Sequence, residues 1–270
     1  RRYAADGTFL GLVGRDGQGP GEYSAPNGLA RLRDGRVVLR DVNLQDRLTL
    51  FGRDGTLDTV LVLPTRLFWI HFGAEPLMAD TASVLWLRFR GRPGPDRPEG
   101  FVRVNTGGSI LDTVPFPRIP EVPRVSVPFS GKTVSGGTFR SALTPRHQPT
   151  TLWAPSPDGR LATVARTDAY RIEVAPSTGD SRPDSSVVPR VLERNVAPVP
   201  VSAQEQEAER EEMRTFVERY SGGPVALPEL PAVKPVLRGL QFAEDGQLLV
   251  GLAAPGVEVD GRWTDPPHYD

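Results

Sequence analysis

Strand-length apolar runs alternate along this chain with polar turns, and the commonest turn is Asp-Gly. The dipeptide stands at Asp6-Gly7, Asp16-Gly17, Asp34-Gly35, Asp54-Gly55, Asp158-Gly159, Asp245-Gly246 and Asp260-Gly261. Glycine enters φ > 0 without steric cost and aspartate bonds its own backbone, so Asp-Gly favours tight hairpins. Most copies open a β-rich run: Thr8–Leu10, Arg36–Leu39, Thr56-Leu57, Arg160–Val164 and Gln247–Val250. The pattern predicts an array of short antiparallel strands.

Two kinds of turn alternate. One follows an apolar strand and opens another, at Asp34, Asp158 and Asp245, with Met78-Ala79-Asp80-Thr81 in the same slot but without its glycine. The other comes later in each unit, at Asp54-Gly55 and, in decayed form, at Gly107-Gly108 and Thr178-Gly179. The stretch Gly55–Val60 is echoed by Gly108–Val114. A four-stranded propeller blade takes roughly 40–50 residues. The step from Asp34 to Asp80 fits one blade, and the steps on to Asp158 and Asp245 fit one blade plus an insertion.

Residues 115–149 are rich in proline (Pro115, Pro117, Pro120, Pro123, Pro128, Pro145, Pro149), which predicts an extended inter-blade connection with one strand around Thr138-Phe139-Arg140. Residues 202–220 are the one predicted helix. Ser202 with Glu205 forms a capping box, and Gly222-Gly223-Pro224 stops the helix. Met213, Phe216, Val217 and Tyr220 recur at helical spacing as one apolar stripe. Such a stripe either docks on the sheets or receives a partner.

Composition agrees with a turn-rich β protein. Glycine and proline number 28 each, about a fifth of 270 residues and well above the roughly 12% average. The length fits one large domain or two small ones; a single propeller domain over 1–270 is expected. Charge is balanced, with 32 basic and 33 acidic residues, so electrostatics make no case for nucleic acid or an anionic membrane. Only Lys132 and Lys234 are lysines; the other basic residues are arginine. The chain has no cysteine, which excludes disulfides, thiol catalysis and Cys-based metal sites. No apolar run approaches the ~18 residues of a membrane span, and no signal peptide is recognisable.

The run Gly14–Tyr23, then Pro26–Ala30, Asp34–Asp41, Asn43, Arg47, Leu48–Phe51 and Asp54-Gly55 resembles an NHL-type repeat, and more closely the bacterial six-bladed β-propeller family. Trp153–Gly159, Asp168–Glu173 and the Val199–Ser202 helix entry are similar to later blades of that family. The resemblance implies an all-β six-bladed propeller, present here as about four to five blades truncated at both ends, with one inserted helix. Residues 1–14 would supply outer strands of a first blade; 26–63, 66–115 and 150–195 a second, third and fourth; and 235–270 inner strands of a fifth. It also implies an exported bacterial protein, periplasmic, secreted or held in the cell envelope.

Candidate chemistry is sparse. Three glycines within Gly17–Tyr23 could cradle an anion, but Pro20 removes a donor and no helix follows. In the alternative reading the loop is a fixed crossing between blades, with Glu22 bonding loop amides. Arg15, Gln18 and Glu22, then Asp41, Asn43, Arg47 and Arg171, are the binding candidates. Against this, Asp41 could satisfy turn amides and Arg47 could pair with a carboxylate. Gly131-Lys132-Thr133 mimics the end of a phosphate loop without its leading glycine or helix. His71, His147 and His268 lack close metal-ligand spacing. Calcium, which takes six to eight oxygens, could use Asp41, Glu75, Asp80 and Asp168 if the fold gathers them. Arg88, Arg90, Arg92 and Arg97 read as a solvated hairpin loop or an acidic-partner or RNA patch. There is no nucleophile elbow.

Three functions follow as expectations. The first is a non-enzymatic binding or scaffold propeller that recognises a protein, peptide or glycan of the cell envelope on one face, with no cofactor. The second is a metal-assisted hydrolase or lyase with a calcium-type site at the propeller axis. The third, RNA binding through an NHL-like face, has little support from the charge balance.

Overall fold

The computed structural model describes residues 1–41, 47–63, 77–90, 99–116, 125–132, 136–177, 188–221 and 223–269. In chain order the strands are β1 (Arg2–Tyr3), β2 (Phe9–Gly11), β3 (Arg15–Asp16), β4 (Glu22–Tyr23), β5 (Pro26–Arg31), β6 (Val37–Asp41), β7 (Arg47–Phe51) and β8 (Leu57–Val62). Then come β9 (Met78–Ala79), β10 (Leu85–Arg90), β11 (Glu99–Val104), β12 (Ile110–Pro115), β13 (Val127–Lys132), β14 (Thr138–Leu143), β15 (Leu152–Pro155), β16 (Arg160–Val164), β17 (Tyr170–Pro176) and β18 (Arg190–Arg194). The last elements are β19 (Val199–Pro200), helix α1 (Ala203–Ser221), β20 (Val233–Lys234), β21 (Leu237–Phe242), β22 (Leu248–Leu252), β23 (Val257–Val259) and β24 (Arg262–Thr264).

Three sheets have four strands ordered as in the sequence: β5–β8, β9–β12 and β15–β18. Each is an up-and-down meander, the form of a propeller blade. The fold is all-β and propeller-like, with one helix among the described residues. The chain divides into two compact units, residues 1–118 with 155–160 and 176–188, and residues 119–154 with 161–175 and 189–270.

A single turn design joins the strands. In the turn from Leu32 to Arg36, Gly35 N–H donates to Leu32 O and Leu32 N–H to Arg36 O, with Gly35 at φ +86°. The same bonds recur at Ala4–Thr8, Gly52–Thr56, Asn105–Ser109, Ser156–Arg160 and Ala243–Gln247. The turn aspartates accept as expected: Asp34 Oδ1 from Arg36 N–H, Asp54 Oδ1 from Thr56 N–H and Asp245 Oδ1 from Gln247 N–H. In the slot without glycine, Asp80–Val84, Ser83 takes φ +60° and closes the same turn. Asp260-Gly261 makes the other hairpin form, two residues both at positive φ between paired Val259 and Arg262.

Alternation along these strands builds the cores. In the first unit Val38, Leu48, Leu50, Leu85, Leu87, Val102 and Val104 are buried together. Each such side chain contributes roughly 1.5–3 kcal/mol of transfer free energy. Trp86, on the opposite face of β10, is also fully buried, with the Arg103 guanidinium 5.3 Å over its ring and Phe101 edge-on. In the second unit Val164, Ile172, Leu237 and Val250 form one core. Met213 and Val217 of α1 form another with Val127 and Leu230.

Residues 115–149 differ from expectation. They hold a six-pair hairpin, β13 with β14, rather than a single strand. Pro128 is tolerated because the hairpin is two-stranded and offers edges on both sides. Phe129 and Phe139 of this hairpin meet Phe216 and Tyr220 of α1 edge-on; of the stripe read from the sequence, Met213 and Val217 are buried, while Phe216 and Tyr220 stay partly exposed. Helix α1 begins and ends within one residue of its predicted bounds.

Strands β5 and β21 carry a bulge at corresponding places, as β8 and β12 do at Asp58 and Leu111. In β5 the register steps from Pro26↔Asp41 to Gly28↔Arg40, which leaves Asn27 as the extra residue. In β21 it steps from Leu237↔Leu252 to Gly239↔Gly251, which leaves Arg238.

Candidate functional site

The first group of sequence candidates lies in the 15–23 loop and the sheet beside it. Strands β3 and β4 pair in parallel, so the loop doubles back. Glu22 closes it: one oxygen accepts from Gly19 N–H at 2.7 Å, the other from Arg15 Nε at 2.7 Å. The amide bond first, and Arg15 second, hold the Glu22 carboxyl below its usual range. Gly17 and Gly14 are required by crowding, since a Cβ at Gly14 would lie 2.6 Å from both Gly21 O and the Tyr23 ring. Asp41 Oδ2 accepts from the Ser24 and Ala25 amides at 2.6 and 3.2 Å. Arg47 departs from the carboxylate pairing considered for it. It donates instead to two backbone carbonyls, Gln18 O at 2.7 Å and Glu22 O. Arg15, Gln18, Glu22 and Arg47 are thus joined into one hydrogen-bonded loop base, with Asp41 bonding the next two amides of the chain. Asn43 lies outside the described residues.

The candidate calcium ligands among the described residues, Asp41, Asp80 and Asp168, are each engaged locally. Asp80 Oδ1 accepts from Ala82 and Val84 N–H, and its Oδ2 from Trp86 Nε1 at 3.1 Å. Asp168 pairs with Arg166, which holds its carboxyl below the usual range. Glu75 and His71 lie outside the described residues. Gly131 and Lys132 are strand residues of β13, not a helix entry. Arg88 pairs with Glu99 at 3.6 Å and lies over the Phe116 ring. Arg92 and Arg97, and the Arg90 side chain, lie outside the described residues.

Arg171 lines an open cleft of about 560 Å³ at one end of the β15–β18 sheet, together with Asp168, Tyr170, Glu193, Arg194 and Asn195. Cross-strand pairing of β17 with β18 places these groups, with Tyr170 opposite Arg194 and Arg171 opposite Glu193. Arg194 lies over the Tyr170 ring at 5.5 Å. Arg171 bridges Glu173 and Glu193, which raises its affinity for its proton. Val236 also lines the cleft.

A second cluster was not visible in the sequence. His147, Glu205 and Asp265 bring ligand atoms within 4.8 Å of one another. Ser202 and Glu205 form the expected capping box, with Glu205 Oε2 accepting from Ser202 N–H at 2.9 Å and Ser202 Oγ from Glu205 N–H at 3.2 Å. The other carboxylate oxygen, Oε1, meets Lys234 Nζ at 2.7 Å. Lys234 is fully buried and also donates to Asp265 Oδ1, while Asp265 Oδ2 meets Arg238 at 2.9 Å. Burial alone would push Glu205 up, but Lys234 and Ser202 together hold its carboxyl below the usual range. His147 is buried, sits at φ +54°, and its Nδ1 lacks a hydrogen-bond partner; Asp265 Oδ2 is 3.9 Å away. Burial lowers the His147 pKa, so the ring is neutral at pH 7.

This donor set does not fit a divalent metal. Two carboxylates and a neutral imidazole are a plausible ligand trio, but the Lys234 ammonium already lies between the carboxylates. A metal would leave Lys234 as an unpaired buried cation, a cost of several kcal/mol. The one unusual feature of the sequence here is that Lys234 is one of only two lysines in an arginine-rich chain. Nothing in it indicated that residues 147, 205, 234 and 265 meet.

No family model matches the chain, and no curated protein matches it. Among solved structures it is similar to a Bacteroides caccae protein of unknown function, at 10% identity and a TM-score of 0.33 over 84% of this chain and 53% of that one. It is similar to the PQQ-bound aldose sugar dehydrogenase of Streptomyces coelicolor, at 16% identity and a TM-score of 0.34 over 90% of this chain and 59% of that one. A third is Kuenenia stuttgartiensis hydrazine synthase, at 11% identity and a TM-score of 0.28 over 90% and 83%. The chain spans little more than half the length of the first two. The fold assignment rests on the strand pairing described above.

Proposed function

We propose that this chain is a non-enzymatic binding module of a bacterial cell-envelope propeller, and that the cleft around Arg171 holds a polar peptide or glycan partner. The observation that carries this reading is the state of the charges bordering the cleft. Asp168 is tied to Arg166 and Glu193 to Arg171. Arg166 holds the Asp168 carboxyl below its usual range, away from the pKa near the working pH that a general acid or base needs. The same pairing fixes the Arg171 guanidinium, whose Nε and both Nη donate to Glu173 and Glu193, and leaves its remaining Nη hydrogens, with the Asn195 amide, as donors for carbonyl and hydroxyl groups. A rigid, shallow, polar surface of this kind suits recognition more than bond making.

Calorimetric titration with muropeptides and with short envelope-derived peptides tests the proposal. Saturable binding of one of these probes, weakened at least tenfold by Arg171→Ala and by Asn195→Ala, is the expected result. Absence of binding by every probe, or binding that both variants leave unchanged, overturns it.

A further inference from the structure

The β21 bulge has a consequence separate from the Arg171 cleft. A bulge re-aims the extra residue out of the ladder, and here the extra residue is Arg238. Its guanidinium is held by Asp265 Oδ2 at 2.9 Å, with Asp265 itself fixed from behind by Lys234. The Arg238 side chain is 37% exposed, the Asp265 side chain 21% and the Lys234 side chain fully buried. The charges therefore run from a sealed interior to an open mouth.

That mouth is a second cleft, of about 260 Å³, lined by Arg238, Gly239, Gly251, Asp265, His268 and Tyr269. The 265–269 segment forms its outer wall and is fastened to β22, since Leu252 N–H donates to His268 O at 2.8 Å and Gly251 bridges to Tyr269. The inner wall is two paired glycines. A Cβ at Gly251 would crowd Gly239 N at 3.1 Å, whereas a Cβ at Gly239 would meet nothing within 4 Å. Gly239 thus leaves room where any side chain would project.

We propose that this cleft binds a compact anion, a carboxylate or a phosphate group, on the Arg238 guanidinium. A guanidinium carries five N–H donors in a fixed fork, and Asp265 engages one nitrogen. The rest of the fork is pre-set in orientation by that ion pair, the arrangement that favours two-point recognition of planar oxyanions. Lys234 and Arg238 together offset the charges of Glu205 and Asp265, so the incoming group meets the Arg238 fork with no net negative charge behind it. The volume of about 260 Å³ suits a ligand of about the size of one amino acid or one monosaccharide phosphate, being just below the 300–1,000 Å³ of drug-sized sites.

Thermal melts and calorimetry on the whole chain, at constant ionic strength, with inorganic phosphate and separately with malonate, test the site. Gly239→Leu, which fills the cleft, and Arg238→Gln, which removes the fork, are the variants. The expected result is a saturable rise in melting temperature with at least one anion, reduced at least tenfold in affinity in both variants. Gly239→Leu keeps the wild-type circular dichroism spectrum and ligand-free melting temperature. A response to phosphate alone assigns a phosphoryl ligand, and one to malonate alone a carboxylate. No saturable response in the wild type, or equal responses in wild type and Gly239→Leu, overturns the proposal. Neither variant touches Arg171 or Asn195, so the outcome is independent of the muropeptide and peptide titrations.

Discussion

Lys234 Nζ lies 2.7 Å from Glu205 Oε1, joining the first turn of α1 to β20 through a fully buried side chain. Removing one partner of a buried ion pair leaves the other uncompensated. Lys234→Met is expected to cost about 3–5 kcal/mol, the range for a broken buried pair. Urea denaturation measures it. The triple change Lys234→Met, Glu205→Gln, Asp265→Asn removes all three charges and is expected to recover much of the loss. A triple variant no more stable than Lys234→Met would show that packing, not charge, makes Lys234 matter.

His147 gives stability a pH dependence. Its folded pKa lies below the ordinary 6.5 because burial disfavours the charged ring. The unfolded chain then binds the proton more readily, so this contribution is present above about pH 6.5 and is lost as pH falls toward the folded pKa. His147→Asn keeps a residue type that accepts the left-handed backbone and does not titrate. Melting temperature against pH from 5 to 7.5 is expected to fall less steeply toward acid in the variant. Parallel curves would remove His147 from the acid response.

Glu209 works in the opposite sense. It is buried, its carboxylate accepts from Arg146 N–H, and burial raises its pKa above the ordinary 4.5. A raised folded pKa favours the folded state in acid, and that advantage is lost as pH rises through the folded value. Glu209→Gln retains an acceptor for Arg146 without the charge. It is expected to raise the melting temperature by a few degrees at pH 7.5, about 1 kcal/mol for a domain of this size, and to do nothing or harm at pH 4. A loss of stability at pH 7.5 contradicts the assignment.

The glycines at positive φ separate into two classes. Gly159, at φ +81°, has nothing within 4 Å of a Cβ, so Gly159→Ala is expected to cost only the left-handed backbone penalty, roughly 1–2 kcal/mol. Gly14→Ala adds a clash with Gly21 O and the Tyr23 ring and is expected to cost clearly more. Chemical denaturation of the two variants side by side decides this, and equal costs would refute the crowding in the 14–23 loop.

Calcium is the remaining check. The carboxylates of Asp41, Asp80 and Asp168 are each occupied by amides, an indole or a guanidinium. Melting in chelator and then in millimolar calcium is expected to give the same midpoint. A ligand of the folded state raises the midpoint by mass action, so a shift of several degrees would restore the metal-assisted hydrolase or lyase reading.

The repeating parts of the fold were legible because they are local. Asp34-Gly35 states its own turn, and Ser202 with Glu205 states its own helix start, because the interacting atoms lie within a few residues. Where a turn had lost its glycine, at Asp80–Val84, the spacing still marked it, and Ser83 supplies the left-handed residue. The β13–β14 hairpin was harder to see, since its strands are joined without an Asp-Gly and carry Pro128. Lys234, His147 and Asp265 were illegible as a group because only tertiary folding brings them together. Arg238 gave no sign of its bulge, which depends on the partner strand's register.

Strand β19 pairs with β20 across the whole of α1, Val199 opposite Lys234, whereas β5 to β8 are neighbours in sequence. Local pairings close short loops and form early in folding; a pairing that spans a helix pays a larger closure entropy and forms late. Interactions made after the folding transition state govern the unfolding rate and leave the folding rate nearly untouched. On that argument the Lys234 ion pairs are expected to form late, and Lys234→Met to speed unfolding more than it slows folding in stopped-flow measurements. In that case they would act as a latch on the lifetime of the finished protein rather than on the speed with which it is reached.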